Sequence, residues 1–177
     1  MSVRESEGIF IGWGLCPTYQ SSWASPTIFV AKKDELRMCV DFRAVNERIQ
    51  RDAHSLPNID RLLDQLHVAK FFAKFDLRHD FHQITIRESD QHITAFTTVF
   101  GLFHYKVVPF GLSNAPVGCQ RLMNKVLEPY VDKFCSVYMD DAICWARSKE
   151  ELAENVRKIL DRFAQFGLSS QAPQVCL

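Results

Sequence analysis

Excess charge of either sign is missing from this chain. Its 21 Lys and Arg balance 21 Asp and Glu, so the formal net charge is zero. Proteins that grip nucleic acid are usually basic, so overall charge gives no support to that class and leaves only a local basic patch open. Cysteines at CxxC spacing are missing too. The six stand at 16, 39, 119, 135, 144 and 176, which argues against a zinc site. Several fall inside predicted strands or helices, as small core residues do, and reduced thiols of an intracellular protein are the expectation. No apolar run reaches membrane length. Gly8 to Leu15 is too short and follows an acidic, not basic, start, so neither a signal peptide nor a transmembrane helix is expected. There is no internal repeat and no low-complexity linker. What remains is ordinary globular composition, 47% hydrophobic and 24% charged over 177 residues, enough for one domain with a real core.

Residues 1–21 show no clear periodicity and read as a poorly defined lead-in. A hairpin follows, with Pro26 to Ala31 and Leu36 to Arg43 as its strands and a charged turn at Lys32-Lys33-Asp34-Glu35. Its Lys32, Lys33, Arg37 and Arg43 are either solvated charges or a phosphate clamp, in which Arg binds bidentately and Lys as a point charge. Ser55-Leu56-Pro57 opens a helix whose Ile59, Leu62, Leu63 and Leu66 share one face. Phe71 to Leu77 reads as a buried strand ending at Asp76, and Ile84 to Ile86 as another. His79 and His82 flank Asp80, a weak metal signal that is more simply local polar surface. A second hairpin spans Thr94–Thr98 and Leu102–Val108. Ser113-Asn114-Ala115-Pro116 opens a helix with Cys119, Leu122, Met123, Val126, Leu127 and Tyr130 on its core face. The last helix starts at the capping box Ser148 to Glu151, carries Leu152, Val156, Ile159, Leu160, Phe163 and Phe166 on its apolar face, and ends at Gly167. Strands and helices alternate without βαβ regularity, so the fold class is α+β with an antiparallel sheet.

Between Phe134–Val137 and Ala142–Trp145, both strand-like, stands Tyr138-Met139-Asp140-Asp141. The Asp pair reads as the turn. As a bare pair it is a solvated acidic turn, but adjacent carboxylates repel and a nearby cation relieves them. Oxygen ligands of this kind suit Mg²⁺. Asp76 ends another strand. If the two strands are neighbours, three carboxylates meet at one end of a sheet, where two metal ions can activate a hydroxyl and steady a leaving pyrophosphate.

With these pieces in order, the chain resembles the reverse transcriptase domain of gypsy-type (Metaviridae) long-terminal-repeat retrotransposon polyproteins. The matching motifs are Trp23-Ala24-Ser25-Pro26, Lys32-Lys33-Asp34, Leu36 to Arg43, Val45-Asn46, Leu56-Pro57 with Ile59-Asp60, Phe75-Asp76-Leu77, His82-Gln83-Ile84, Thr94 to Thr98, Pro109 to Pro116, Gln120 to Asn124 and Tyr138 to Asp141. They cover residues 22–168, and many motifs in fixed order are a far stronger signal than any one. The resemblance implies a right-hand polymerase fold with fingers and palm, acting as an RNA-directed DNA polymerase on dNTP and an RNA or DNA template-primer. Asp76, Asp140 and Asp141 would be the catalytic carboxylates that bind Mg²⁺, with Mn²⁺ as a substitute. Lys32 or Lys33, with Arg37, would hold the triphosphate. Phe81 would be an aromatic sugar gate, and Phe110 and Gly111 would line the nucleotide pocket. Arg43, Asn114 and Pro116 would contact the template. RNase H and integrase segments of the polyprotein would be partners, no membrane would be involved, and the expected setting would be intracellular, in a cytoplasmic virus-like particle with room for a nuclear phase, and not secreted.

The departures lie in Arg78-His79-Asp80, where the family has a basic or small residue and then small residues that let the backbone approach phosphate, with Ile93 for a usual Lys and Cys119 for a usual Phe. Residues 169–177 read as a degraded tail with the thumb absent. The alternative is a catalytically inactive remnant that keeps the fold and binds nucleic acid or protein.

Overall fold

The structure, a computed structural model, describes residues 14–18, 20–32, 35–52, 64, 66, 67, 69–77 and 80–176. In chain order its elements are β1 Leu15–Pro17, β2 Thr27–Lys32, β3 Glu35–Val40, α1 Arg43–Asn46, β4 Phe71–Asp76, a 3₁₀ turn Asp80–Gln83, α2 Glu88–Gln91, β5 Phe96–Thr98, β6 Gly101–Tyr105, α3 Ala115–Leu127, β7 Cys135–Tyr138, β8 Asp141–Ala146, α4 Lys149–Gln165 and β9 Gln174–Cys176. The described residues form two compact units, one from Met1–Arg51 with Phe81–Ala115, the other from Asp52–Asp80 with Pro116–Leu177. Most of the helix expected after Ser55 lies outside the described residues.

In the first unit β5 and β6 form the expected second hairpin, and β1 adds to the free edge of β6. The lead-in therefore contributes a strand, with Leu15 buried against Phe96 and Phe103. Three residues are too few for a period to be read, so the sequence gives no sign of it. The β2–β3 hairpin pairs in register from Thr27 opposite Val40 to Lys32 opposite Glu35. Its second strand stops before Asp41, because Asp41 Oδ1 accepts from the Arg43 backbone N–H and the chain turns into α1. The strand expected at Ile84 to Ile86 is a single bridge, Thr85 to Val107.

In the second unit the sheet order is β7-β8-β4-β9, all antiparallel. Alternation along β4 buries Ala73 and Phe75 and leaves Lys74 and Asp76 part-exposed, a strand with one face on the core. Cys135, Val137, Ala142 and Cys144 share that buried face. α4 covers it, and the Phe75 and Phe163 rings meet edge to face with centroids 5.9 Å apart. α4 is capped as expected: Ser148 Oγ accepts from the Glu151 N–H, and Gly167 closes the helix at φ +68. Its buried stripe is Leu152, Asn155, Ile159 and Phe163. Leu160 and Phe166 lie outside it, and Phe166 sits under the Arg162 guanidinium. The residues read as a degraded tail still pair: β9 runs along β4, with Phe72 opposite Cys176. A ladder is made by backbone groups, so it forms here without a side-chain pattern that marks a strand.

Burial pushes the Cys135 thiol up and the Cys144 thiol to about 12. Both lie above the unfolded value of about 8.5. Their contribution to stability is therefore complete below that value and is lost as pH climbs toward 12. At pH 8 a thiol reagent is expected to label exposed Cys39 rapidly and to leave Cys135 and Cys144 unmodified until the chain unfolds. Mass mapping checks this, and rapid native labelling at Cys144 would contradict it.

Candidate active site

Asp76 closes β4 and Asp141 opens β8, and the register sets them directly opposite each other. Opposite residues of an antiparallel pair share a face. Both carboxylates therefore lie on the face away from α4, together with Lys74 two residues before Asp76. The Lys74 Nζ lies 2.7 Å from Asp141 Oδ2. That hydrogen bond raises the Lys74 pKa above the ordinary lysine value against some desolvation, and the charges of Asp141, Asp76 and Asp140 raise it further. Asp76 is fixed from its other side as well: its carbonyl accepts from the Gln171 N–H, and Leu77 bridges Ser170.

The turn differs from its sequence reading. Tyr138 pairs with Asp141, so the two turn residues are Met139 and Asp140 rather than the Asp pair. Pairing Asp141 into the ladder is what sets it opposite Asp76. Met139 takes a left-handed φ of 57, uncommon for a residue with a long side chain. Gln120 of α3, fully buried, braces it. The Gln120 Oε1 accepts from the Met139 N–H, and its Nε2 donates to the Val137 carbonyl and to Asn124 Oδ1. The sequence carries a sign of this in retrospect, since a polar Gln between Cys119 and Met123 on a buried stripe needs partners. Gln120→Leu is expected to cost about 1–3 kcal/mol, because buried backbone groups lose their partner. Thermal unfolding reads this, and an unchanged Tm would show the brace to be dispensable.

In the first unit the loop 110–114 is held by α1. The Asn46 Nδ2 donates to the Gly111 carbonyl while its Oδ1 accepts from the Ser113 N–H. Gly111 takes φ +97, with Phe42 and the Val40 carbonyl within 4 Å of where a Cβ would stand. That conformation favours glycine. Phe81 is part-buried and meets the exposed ring of Phe110 edge to face, centroids 5.2 Å apart. His82 packs on Phe110 and Tyr105. The Asn114 Nδ2 donates to the Gln50 carbonyl. Arg43 pairs bidentately with Asp41, its Nε donating to both carboxylate oxygens and a terminal nitrogen lying 2.6 Å from Oδ2. Its side chain is otherwise exposed, as is that of Arg37 on β3. Pro116 is part-buried in the first turn of α3. Lys33, His79 and the side chains of Lys32 and Asp80 lie outside the described residues. Gln120, Asn46 and Lys74 are the residues whose part was missed from sequence.

Among the described residues no three His, Cys, Asp or Glu side chains close into a metal cage. The donor chemistry nonetheless fits a hard divalent cation. Two carboxylates share one face and Asp140 adjoins them, all oxygen donors, and Mg²⁺ needs only one or two protein carboxylates beside water and phosphate.

The profile of the family described as reverse transcriptase (RNA-dependent DNA polymerase) matches residues 30–172. The chain is 36% identical over 164 residues to the retrovirus-related Pol polyprotein from transposon 297 of Drosophila melanogaster, covering 89% of this chain and 16% of that protein. It is 37% identical over 160 residues to the enzymatic polyprotein of figwort mosaic virus (strain DxS), covering 88% and 24%. The chain thus spans a quarter or less of the length of these relatives. Its fold matches a foamy viral protease–reverse transcriptase solved in complex with double-stranded DNA, with a TM-score of 0.81 and 24% identity, over 92% of this chain and 28% of that one.

Proposed function

The chain belongs to the reverse transcriptase (RNA-dependent DNA polymerase) family, and from that premise we propose that residues 22–168 are the fingers and palm of a retrotransposon polymerase. The fold is the α+β right-hand polymerase fold, an antiparallel palm sheet packed on helices. The reaction is attack of a primer 3′-hydroxyl on the α-phosphate of a dNTP, directed by an RNA or DNA template and releasing pyrophosphate. The observation that carries this reading is Asp76 opposite Asp141 across β4 and β8, with Asp140 in the adjoining turn.

The chain's own work is to position oxygens. The β4–β8 ladder sets Asp76 and Asp141 side by side, and the braced turn presents Asp140. Mg²⁺, or Mn²⁺ in its place, supplies hydroxyl activation and charge neutralisation when bound. Lys32 or Lys33, with Arg37, contacts the triphosphate. Phe81, Phe110 and Gly111 contact the nucleotide, and the side-chain-free backbone at Gly111 allows close approach. Arg43, Asn114 and Pro116 contact the template. The foamy viral protein's double-stranded DNA supports a duplex partner, and the polyprotein relatives support RNase H and integrase segments as companions.

A second reading, a non-catalytic remnant that binds nucleic acid or protein, is favoured by Asp80. It is an acidic residue at a sequence position where the resemblance implies a small one beside phosphate. Extension of a DNA primer on an RNA template with dNTPs separates the two. Mg²⁺-dependent extension that stops in chelator supports the polymerase, and duplex binding without extension supports the remnant.

A further inference from the structure

Lysine is an odd member of the strand Phe71-Phe72-Ala73-Lys74-Phe75-Asp76. Its charge has a partner across the ladder, with Nζ 2.7 Å from Asp141 Oδ2. The opposed Asp76 and Asp141 are like charges directly across a strand pair, an arrangement that is unfavourable without a cation. Both ends of the ion pair reach solvent, the side chains being 44% and 37% exposed. We propose that Lys74 is the built-in counter-cation of this carboxylate pair: it holds Asp141 in the metal-free chain, competes with the divalent cation for that carboxylate, and turns out to water when the cation binds. This rests on the reading of Asp76, Asp140 and Asp141 as metal ligands.

The chemistry of lysine suits the task. Its ammonium is a compact, strongly hydrated charge on a flexible stem, whereas Arg would grip a carboxylate through a rigid two-point fork. A single contact next to solvent is readily exchanged. Lys74 thus keeps Asp141 in place before metal arrives, and the cost is weaker metal binding.

The test titrates Mn²⁺ alone into the chain and follows the free ion by its paramagnetic resonance. Lys74→Met is expected to bind Mn²⁺ about two- to fivefold tighter than wild type, the span that an exposed ion pair is worth. Lys74→Arg is expected to bind no tighter than wild type, and Asp141→Asn to lose the site. Equal or weaker binding by Lys74→Met, with Asp141→Asn still abolishing it, overturns the proposal and leaves the metal site standing. Binding indifferent to Asp141→Asn overturns the metal site and the competition together. A melting cycle in chelator adds a readout independent of metal. Lys74→Met should lower Tm in the wild-type background and leave it unchanged beside Asp141→Asn, and additive shifts would refute the counter-cation role.

Discussion

Primer extension by Asp141→Asn or Asp76→Asn is expected to fall at least about a thousandfold below wild type, while the fold survives. The size of the effect follows from the chemistry. A cation held by these carboxylates contributes several kcal/mol of transition-state stabilisation, and each 1.36 kcal/mol is tenfold in rate. Asn keeps the shape of Asp and removes its charge, so the ligand is lost and the ladder is not. Stability should change little, since the Lys74–Asp141 pair is part-exposed and such pairs are worth about 0–1 kcal/mol. Because the two residues stand opposite each other, the losses should be similar in size and far from additive in the double variant. Rates from a primer-extension time course, with melting curves as the fold control, decide it. Extension within tenfold of wild type in either variant would remove that carboxylate from the chemistry.

Local pattern and motif order are what the sequence makes legible. The apolar run 71–77, the capping box at Ser148 and Glu151, and Gly167 at the helix end are short-range signals; the cap and the glycine stand as expected, while the strand forms over Phe71–Asp76 with one face on the core rather than buried throughout. Even so, the turn lies at Met139-Asp140, one residue before the Asp pair that the sequence pattern suggests. Period alone does not say whether Asp141 ends a turn or begins a strand, and the ladder to Asp76 settles it. Lys74 was invisible for a different reason: its partner lies on another strand far along the chain. The task of Gln120 is not legible in its motif, because its partner, the Met139 N–H, becomes an orphan only after the turn takes its left-handed form. The β1 and β9 strands were missed because edge strands of three residues are recruited by a neighbour's open backbone groups, not by their own side chains.

Phe81→Val is expected to lower the preference for dNTP over rNTP by roughly 10- to 100-fold. The family resemblance gives Phe81 the place beneath the sugar of the incoming nucleotide, where its ring would occupy the volume a 2′-hydroxyl needs. Forcing extra atoms into a filled site costs about 1–3 kcal/mol, about 5- to 160-fold in relative rate, which brackets the expected change. The rival account is that Phe81 merely packs. Its surroundings bear on this: the ring is part-buried, not sealed, and it leans edge to face on Phe110, which is itself 52% exposed. A fully buried Phe cut to a small residue loses about 3–5 kcal/mol. Here the cost should be nearer the 0.5–1.5 kcal/mol of an aromatic pair with some lost apolar area. The variant is therefore expected to remain folded, so that its selectivity can be read. Incorporation of each dNTP against its rNTP, for wild type and Phe81→Val, gives the ratio, and melting curves give the stability. An unchanged ratio in a folded, active variant would reduce Phe81 to a packing residue. A Tm collapse without measurable extension would place it in the core after all.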